Sequence, residues 1–227
     1  MTRVHRSRRV RVPQAQELRK RPSQERSRAL VESLVEATAR ILIRDGYDAL
    51  STNRVAVEAG VSVGSLYQYV TNKDTLVRMV AERWAEGAAA EFVRLRAELA
   101  GATVDAGVRR IVDVALAMAR ADVRLHRAML EQLPRIGVLP IFDALGRRAA
   151  DLLAEWIAER RDELAVPDPS LTAHVIVTTL DGLTDHALLL RPELLDSPRF
   201  ARELEALVLG YLRARAPAPG VGPRGRG

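Results

Sequence analysis

The chain has no cysteine, which excludes a disulfide framework, a thiol nucleophile and a cysteine-based zinc site. Lysine is nearly absent too: Lys20 and Lys73 stand beside 33 arginines. Long uncharged stretches are also missing. The longest run free of Asp, Glu, Lys and Arg is Ala59 to Asn72, 14 residues, whereas a membrane span needs roughly 18. The basic N-terminus is followed by no apolar stretch of the kind a signal peptide carries. There is no glycine-rich phosphate loop, nucleophile elbow or zinc-protease helix pattern. These absences leave a cytoplasmic, non-enzymatic protein without cofactor as the expectation.

What remains is 227 residues, 48% hydrophobic and 28% charged, enough for one large or two small domains with a sizeable core. The formal net charge is +6, and its distribution along the chain says more than its total. Residues 1–22 carry a net +7, residues 23–80 zero, residues 81–212 a net −5 and residues 213–227 a net +4. The first segment has too few large apolar side chains to order itself, and the last, APAPGVGPRGRG, is Pro/Gly punctuation with arginines. A basic arm over 1–22 and a disordered tail over 213–227 are expected.

Between these ends the hydrophobic period is helical nearly throughout. Leu30, Leu34, Ala37 and Ile41 mark one face of a first helix, capped by Ser23 and ended by Asp45-Gly46. Short helices follow over Thr52–Ala59 and Val63–Tyr69. A long helix is predicted from Lys73 to about Leu99, opened by Thr71 with Asp74 as a capping box. Gly101-Ala102 and Gly107 mark the next break, and a helix is predicted over Thr103–Ala121. Further helices are predicted over Leu125–Leu133 (stopped by Pro134), about Pro140–Leu164, Ser170–Leu190 and Pro198–Leu212. The expectation is an all-α, nine-helix, two-domain protein with no strand, since β-branched runs such as Val175–Thr179 sit inside longer helical patterns.

The segment STNRVAVEAGVSVGSLYQYVTNKDTL, Ser51 to Leu76, has helix-turn-helix spacing. Gly60 allows the turn, Val55, Ala56, Val61 and Leu66 fill the space between the two helices, and Ser62 caps the second. Its residues Ala56, Ala59-Gly60-Val61-Ser62, Gly64, Leu66-Tyr67, Tyr69-Val70, Lys73 and Leu76 closely resemble the signature of the TetR family of bacterial regulators. Val70 stands where that family most often has Phe, and Thr71 where it often has Pro; both suit a core residue and a cap. The resemblance extends over residues 23–80, and beyond that only helix number and length agree.

The resemblance implies that Thr52, Tyr67, Tyr69 and Lys73 grip DNA phosphates. Hydroxyls, helix N-termini and an ammonium group suit that task. It also implies base reading by Val63, Gly64, Ser65 and Tyr67, with Asn53 or Arg54 reaching from the first helix of the motif; Gln68 could meet a base or a phosphate. This recognition helix has no Arg, the residue of the commonest guanine contact. Reading should then rely on hydroxyls, and on Val63 or Ser65 against thymine methyls. Because residues 23–80 are neutral, the basic arm is expected to supply much of the phosphate attraction.

A two-helix reader covers few base pairs, so useful specificity asks for a dimer on a near-palindromic double-stranded operator. The expected homodimer face combines Val175, Ile176, Thr179, Leu183 and Ala187 with Phe200, Leu204, Leu207, Val208 and Tyr211. In TetR-like proteins the last two helices pack on their twins as a four-helix bundle. The resemblance further implies that helices from about 104 to 164 enclose a small-molecule effector. Met118, His126, Met129, Gln132, Phe142, Leu145 and Trp156 have the apolar bulk and few polar groups of such a cavity. The domain boundaries expected are 23–80 for DNA binding and 81–212 for effector binding and dimerisation.

Two other readings compete. His5, His126, His174 and His186 form no metal-ligand motif, and Asp185 and His186 are neighbours rather than same-face partners, which counts against an enzyme or a metal site. An effector-independent chromosome-binding protein would share the fold and differ in binding all duplexes alike. The reading preferred is an effector-controlled repressor.

Overall fold

The computed structural model describes residues 25–164 and 166–214, and only the backbone of 131–136; Ser23, the arm over 1–22 and the tail beyond 214 lie outside the described residues. Among the described residues there are nine α-helices and no strand. The described residues fall into two compact units, 25–83 with 128–140, and 84–127 with 141–214.

In the first unit, α1 (Glu25–Asp45) buries Leu34, Ala37, Thr38, Ile41 and Leu42 along one stripe. It ends where Gly46 adopts φ +77° and donates its N–H to the Leu42 carbonyl at 3.1 Å, a left-handed C-terminal cap that glycine adopts without strain. Then α2 (Thr52–Glu58) is capped by Ser51 and α3 (Val63–Tyr67) by Ser62. Between them Gly60 stands at φ +67°. Val55, Ala56, Leu66, Val70 and Leu76 are buried, so the motif's apolar residues do close on one another.

The long α4 (Lys73–Leu99) opens differently from the expected capping box. Asn72 Oδ1, not Thr71, accepts the Thr75 N–H at 2.9 Å, while the Thr71 hydroxyl bonds the Thr75 hydroxyl at 3.0 Å. The Asp74 carboxylate accepts the Tyr47 hydroxyl. Asn is as good a cap as Thr and sits one residue nearer the helix.

Further along, α5 (Val104–Arg120) is capped by Thr103. Gly107, read from sequence as part of a break, lies buried inside α5; Gly101, at φ +77°, makes the break. A Cβ on Gly107 would come within 2.3 Å of Trp156 Cζ2, so this glycine is there to admit an indole. α6 (Val123–Ile136) runs through Pro134 instead of stopping at it. Proline forfeits one helical hydrogen bond but does not forbid continuation, and the stop comes at Gly137, φ +66°.

In the second unit, α7 (Leu139–Ala158) ends earlier than the expected Leu164. The buried Arg160 guanidinium explains the turn: it donates to the carbonyls of Trp156 at 3.1 Å, Leu99 at 2.9 Å and Ala102 at 2.9 Å, and lies 4.5 Å from the Trp156 ring centroid. One charged donor thereby ties together the carbonyls of two helix ends and the turn after α4, of which Leu99's also accepts the Ala102 N–H at 3.2 Å. α8 (Pro169–Leu190) is capped by Asp168, a short 3-10 turn covers Pro192–Leu194, and α9 (Pro198–Arg213) is capped by Ser197. Trp156, Ile157, Val112, Ile176, Leu188 and Val208 form the core of this unit. Among the described residues no helix is long and apolar enough to cross a membrane.

Candidate nucleic-acid interface

The surface of α2 and α3 is set by their caps. Ser62 Oγ accepts the Ser65 N–H at 3.0 Å and shares a 2.8 Å hydrogen bond with Ser65 Oγ. This fixes the start of α3 and leaves Val63, at 38% exposure, and Gly64 pointing outward. Tyr67, 42% exposed, closes the helix. Its hydroxyl lies 3.0 Å from Thr52 Oγ1 at the start of α2, so the two helices share one hydroxyl pair at their common edge. Asn53 and Gln68 are exposed and Ser65 is half-buried.

The cationic members are held within the unit. Arg54 donates to the Ala49 carbonyl at 2.9 Å and to Asp45 Oδ2 at 2.5 Å. Lys73 Nζ donates to the Tyr47 carbonyl at 3.2 Å and sits 4.0 Å from the centroid of the Tyr47 ring, a cation–π contact. Asp45 also binds Arg44, and Glu58 binds Arg40 and Arg44. The hydrogen bond from Arg44 foremost, then that from Arg54, holds the Asp45 carboxyl below the usual range against its partial desolvation. Arg40 does the same for Glu58. Arg40, Arg44 and Arg54 are thus offset by Asp45 and Glu58, whereas Lys73 meets a carbonyl and a ring.

Tyr69 is placed differently from the other expected phosphate residues. It is buried, and its hydroxyl donates to Ser27 Oγ on α1 at 3.0 Å. Sequence reasoning missed Tyr47 and Asp45 as members of the site, since the partners they hold are 26 and nine residues away in sequence and no local pattern marks them.

The residues expected to line an effector cavity differ in burial. In the second unit Met118 and Phe142 are half-buried, His126 and Leu145 are buried, and Trp156 is fully enclosed against Gly107 and Arg160. Met129 is buried and falls in the first unit, and the side chain of Gln132 lies outside the described residues. What does come together is His126 and Phe142 at the Trp84 indole, with ring centroids 5.2 Å away in each case. Sequence reasoning missed Trp84.

The expected dimer face divides in two. Ile176, Ala187, Leu204 and Val208 are buried within the single chain. Val175, Thr179, Leu183, Phe200 and Tyr211 are half-buried, and Leu207 is exposed, as are Leu171 and Leu190.

Known proteins share this arrangement. Residues 34–80 match the family model for bacterial regulatory proteins of the tetR family, and residues 103–212 match that for the tetracyclin repressor-like C-terminal domain. An uncharacterized HTH-type transcriptional regulator of Haemophilus influenzae is 41% identical over 54 residues, which span 24% of this chain and 29% of the relative's length. The crystal structure of a TetR-family transcriptional regulator from Mesorhizobium loti superposes with a TM-score of 0.67 at 20% identity, covering 85% of this chain and 97% of the other. The multidrug binding protein EbrR, in complex with malachite green, gives a TM-score of 0.62 at 23% identity, covering 80% of this chain and 97% of EbrR.

Proposed function

Because the chain belongs to the tetR family of bacterial regulatory proteins, we propose that it is a cytoplasmic, homodimeric repressor of transcription that a small-molecule effector releases from a near-palindromic operator. The observation that carries this is the edge of the helix-turn-helix, where Tyr67 of α3 meets Thr52 of α2 and Val63, Gly64, Gln68 and Asn53 are exposed, with Ser65 half-buried. Its polar groups suit a major groove and its phosphates, and its small, uncharged profile suits close approach. In this reading Arg54 steadies the start of α2 through Asp45 in the free protein, and is available to DNA only by leaving that pair. Lys73 stands at an α4 start already fixed by Tyr47, and Tyr69 acts through packing on α1.

The dimer is proposed from the apolar side chains of α8 and α9 that the single chain leaves open: Val175, Thr179, Leu183 and Leu207, flanked by Leu171 and Leu190. Effector responsiveness is supported by the fold shared with the multidrug binding protein EbrR. Selection of bound sites from random duplexes tests the whole reading. A palindrome with two half-sites about one helical turn apart is expected. Uniform affinity for all duplexes would instead favour a chromosome-binding protein, and a monomer at micromolar concentration would remove the dimer.

A further inference from the structure

Four helices of the second unit each bring a side chain to one place: Trp84 from α4, His126 from α6, Phe142 from α7 and Asp185 from α8. Phe142 stacks on Trp84 at an interplanar angle of 29°, and His126 meets the same indole at 46°. Trp84 and Phe142 are only half-buried. His126 is 7% exposed, with Nε2 3.4 Å from Asp185 Oδ1. Its Nδ1 is buried without a well-formed hydrogen bond, although the Ala119 backbone is close enough to oppose the desolvation that lowers the imidazole's basicity. One turn before Asp185 on α8 stands Asp181, a second carboxyl. Among the described residues neither acid is paired with an arginine or lysine.

A purely structural core rarely keeps such groups. Buried polar atoms such as the His126 Nδ1 are nearly always satisfied, and the two carboxyls beside it, Asp185 half-buried and Asp181 exposed, face no cation among the described residues. Here burial pushes the Asp185 carboxyl up to about 6. Asp181 is pushed up to about 6 by the same loss of water and then by the Asp185 charge, although much of its own surface remains open. The imidazole does not supply the missing positive charge, since burial favours its neutral form. An aromatic wall next to uncompensated carboxyls has the complementarity of a flat or multi-ring cation: its rings would lie against Trp84, and its charge would restore the ionised form of Asp185.

We propose that Trp84, His126, Phe142, Asp181 and Asp185 form a recognition site for an aromatic organic cation. The inference rests on the second unit being the effector-binding part of the protein. It names the chemical class of the effector and makes Asp185 the residue that selects by charge.

The test uses the full-length protein and two ions of nearly equal shape and opposite sign, tetraphenylphosphonium and tetraphenylborate, titrated while Trp fluorescence and heat are recorded. Only Trp84 and Trp156 contribute to the emission. Saturable binding of the phosphonium is expected, tighter than that of the borate by about tenfold or more and weakened about tenfold by Asp185→Asn. Trp84→Leu, whose fold is checked by circular dichroism, should weaken binding as well. Equal or tighter binding of the borate, no saturable binding of the phosphonium, or unchanged affinity in both variants overturns the proposal. A parallel mobility shift on the selected operator separates this inference from the functional reading beneath it. If the cation binds without releasing DNA, the site stands and the effector reading falls. If the phosphonium neither binds nor releases DNA while neutral or anionic compounds do release it, the regulator stands and the cation site falls.

Discussion

Gly107 and Trp156 occupy space that allows no carbon atom to be added between them, since a Cβ on the glycine would lie 2.3 Å from one ring atom and 3.0 Å from the next. Alanine ordinarily stabilises a helix interior relative to glycine by about 1 kcal/mol. At this position the sign is reversed, because the indole is fully buried and has nowhere to move. Gly107→Ala is therefore expected to lower stability by about 2 kcal/mol or more, read from the midpoint of urea denaturation. Stability equal to or above that of the parent would show that the core around Trp156 is looser than the geometry indicates.

Gly64 is the opposite case. A Cβ at this position would meet only Ser62 Oγ, at 3.9 Å, and the backbone is not left-handed. Folding alone gives no reason for glycine there, so Gly64→Ala should raise stability by about 0.5–1 kcal/mol. If Gly64 is kept for close approach to DNA, the same variant should lose about tenfold in operator affinity, the size of one good base contact. A variant that gains stability and binds unchanged removes Gly64 from the reading surface.

Asp185 makes stability depend on pH. Its folded value of about 6 lies above the ordinary 3.8, so the unfolded chain ionises first as pH rises. Below about pH 4 the group is neutral in both states and costs nothing; between about 4 and 6 stability falls, and above that the penalty is constant. The side chain is 35% exposed, which reduces the penalty to about 1 kcal/mol. Asp185→Asn should therefore be more stable than the parent above pH 7 and equal to it near pH 4 in paired thermal melts. A stability gain that does not change with pH would point to packing instead.

The arm over residues 1–22 carries the +7 that the neutral reading unit lacks. Each neutralised phosphate contributes about 0.9 to the log–log salt slope of DNA binding. Deleting the arm should weaken operator binding at low salt and flatten the slope by several such increments. An unchanged slope would assign the phosphate contacts to the helix-turn-helix alone.

The helix-turn-helix is legible because its instructions are short-ranged. Ser51 and Ser62 cap residues three positions away, and Gly60 makes its turn by bonding back to Val57. Where sequence reading goes astray, the deciding partner is far off. Gly107 resembles a breaker until Trp156 is placed against it. The early end of α7 depends on Arg160 reaching carbonyls 58 and 61 residues away. Tyr69 reads as a phosphate contact or as half-buried packing until Ser27, 42 residues before it, takes its hydroxyl. Thr71 and Asn72 are both adequate caps, and only the geometry of the entering chain chooses between them. The candidate cation site is half legible: His126 and Phe142 have the makeup of a cavity, whereas Trp84 lies on the long helix from Lys73, outside the 104–164 segment expected to enclose an effector.

The hydroxyl pair at the edge between α2 and α3 also fixes a proton inventory. Thr52 and Tyr67 carry two O–H groups, and the 3.0 Å contact between them consumes one, so a phosphate arriving there is offered a single hydrogen. Tyr67→Phe or Thr52→Val alone still leaves one O–H to offer, so each should cost little, about 0.5 kcal/mol of binding. The double variant leaves none, and its loss should exceed the sum of the two. Two residues that look like separate anchors would then act as one donor with a spare.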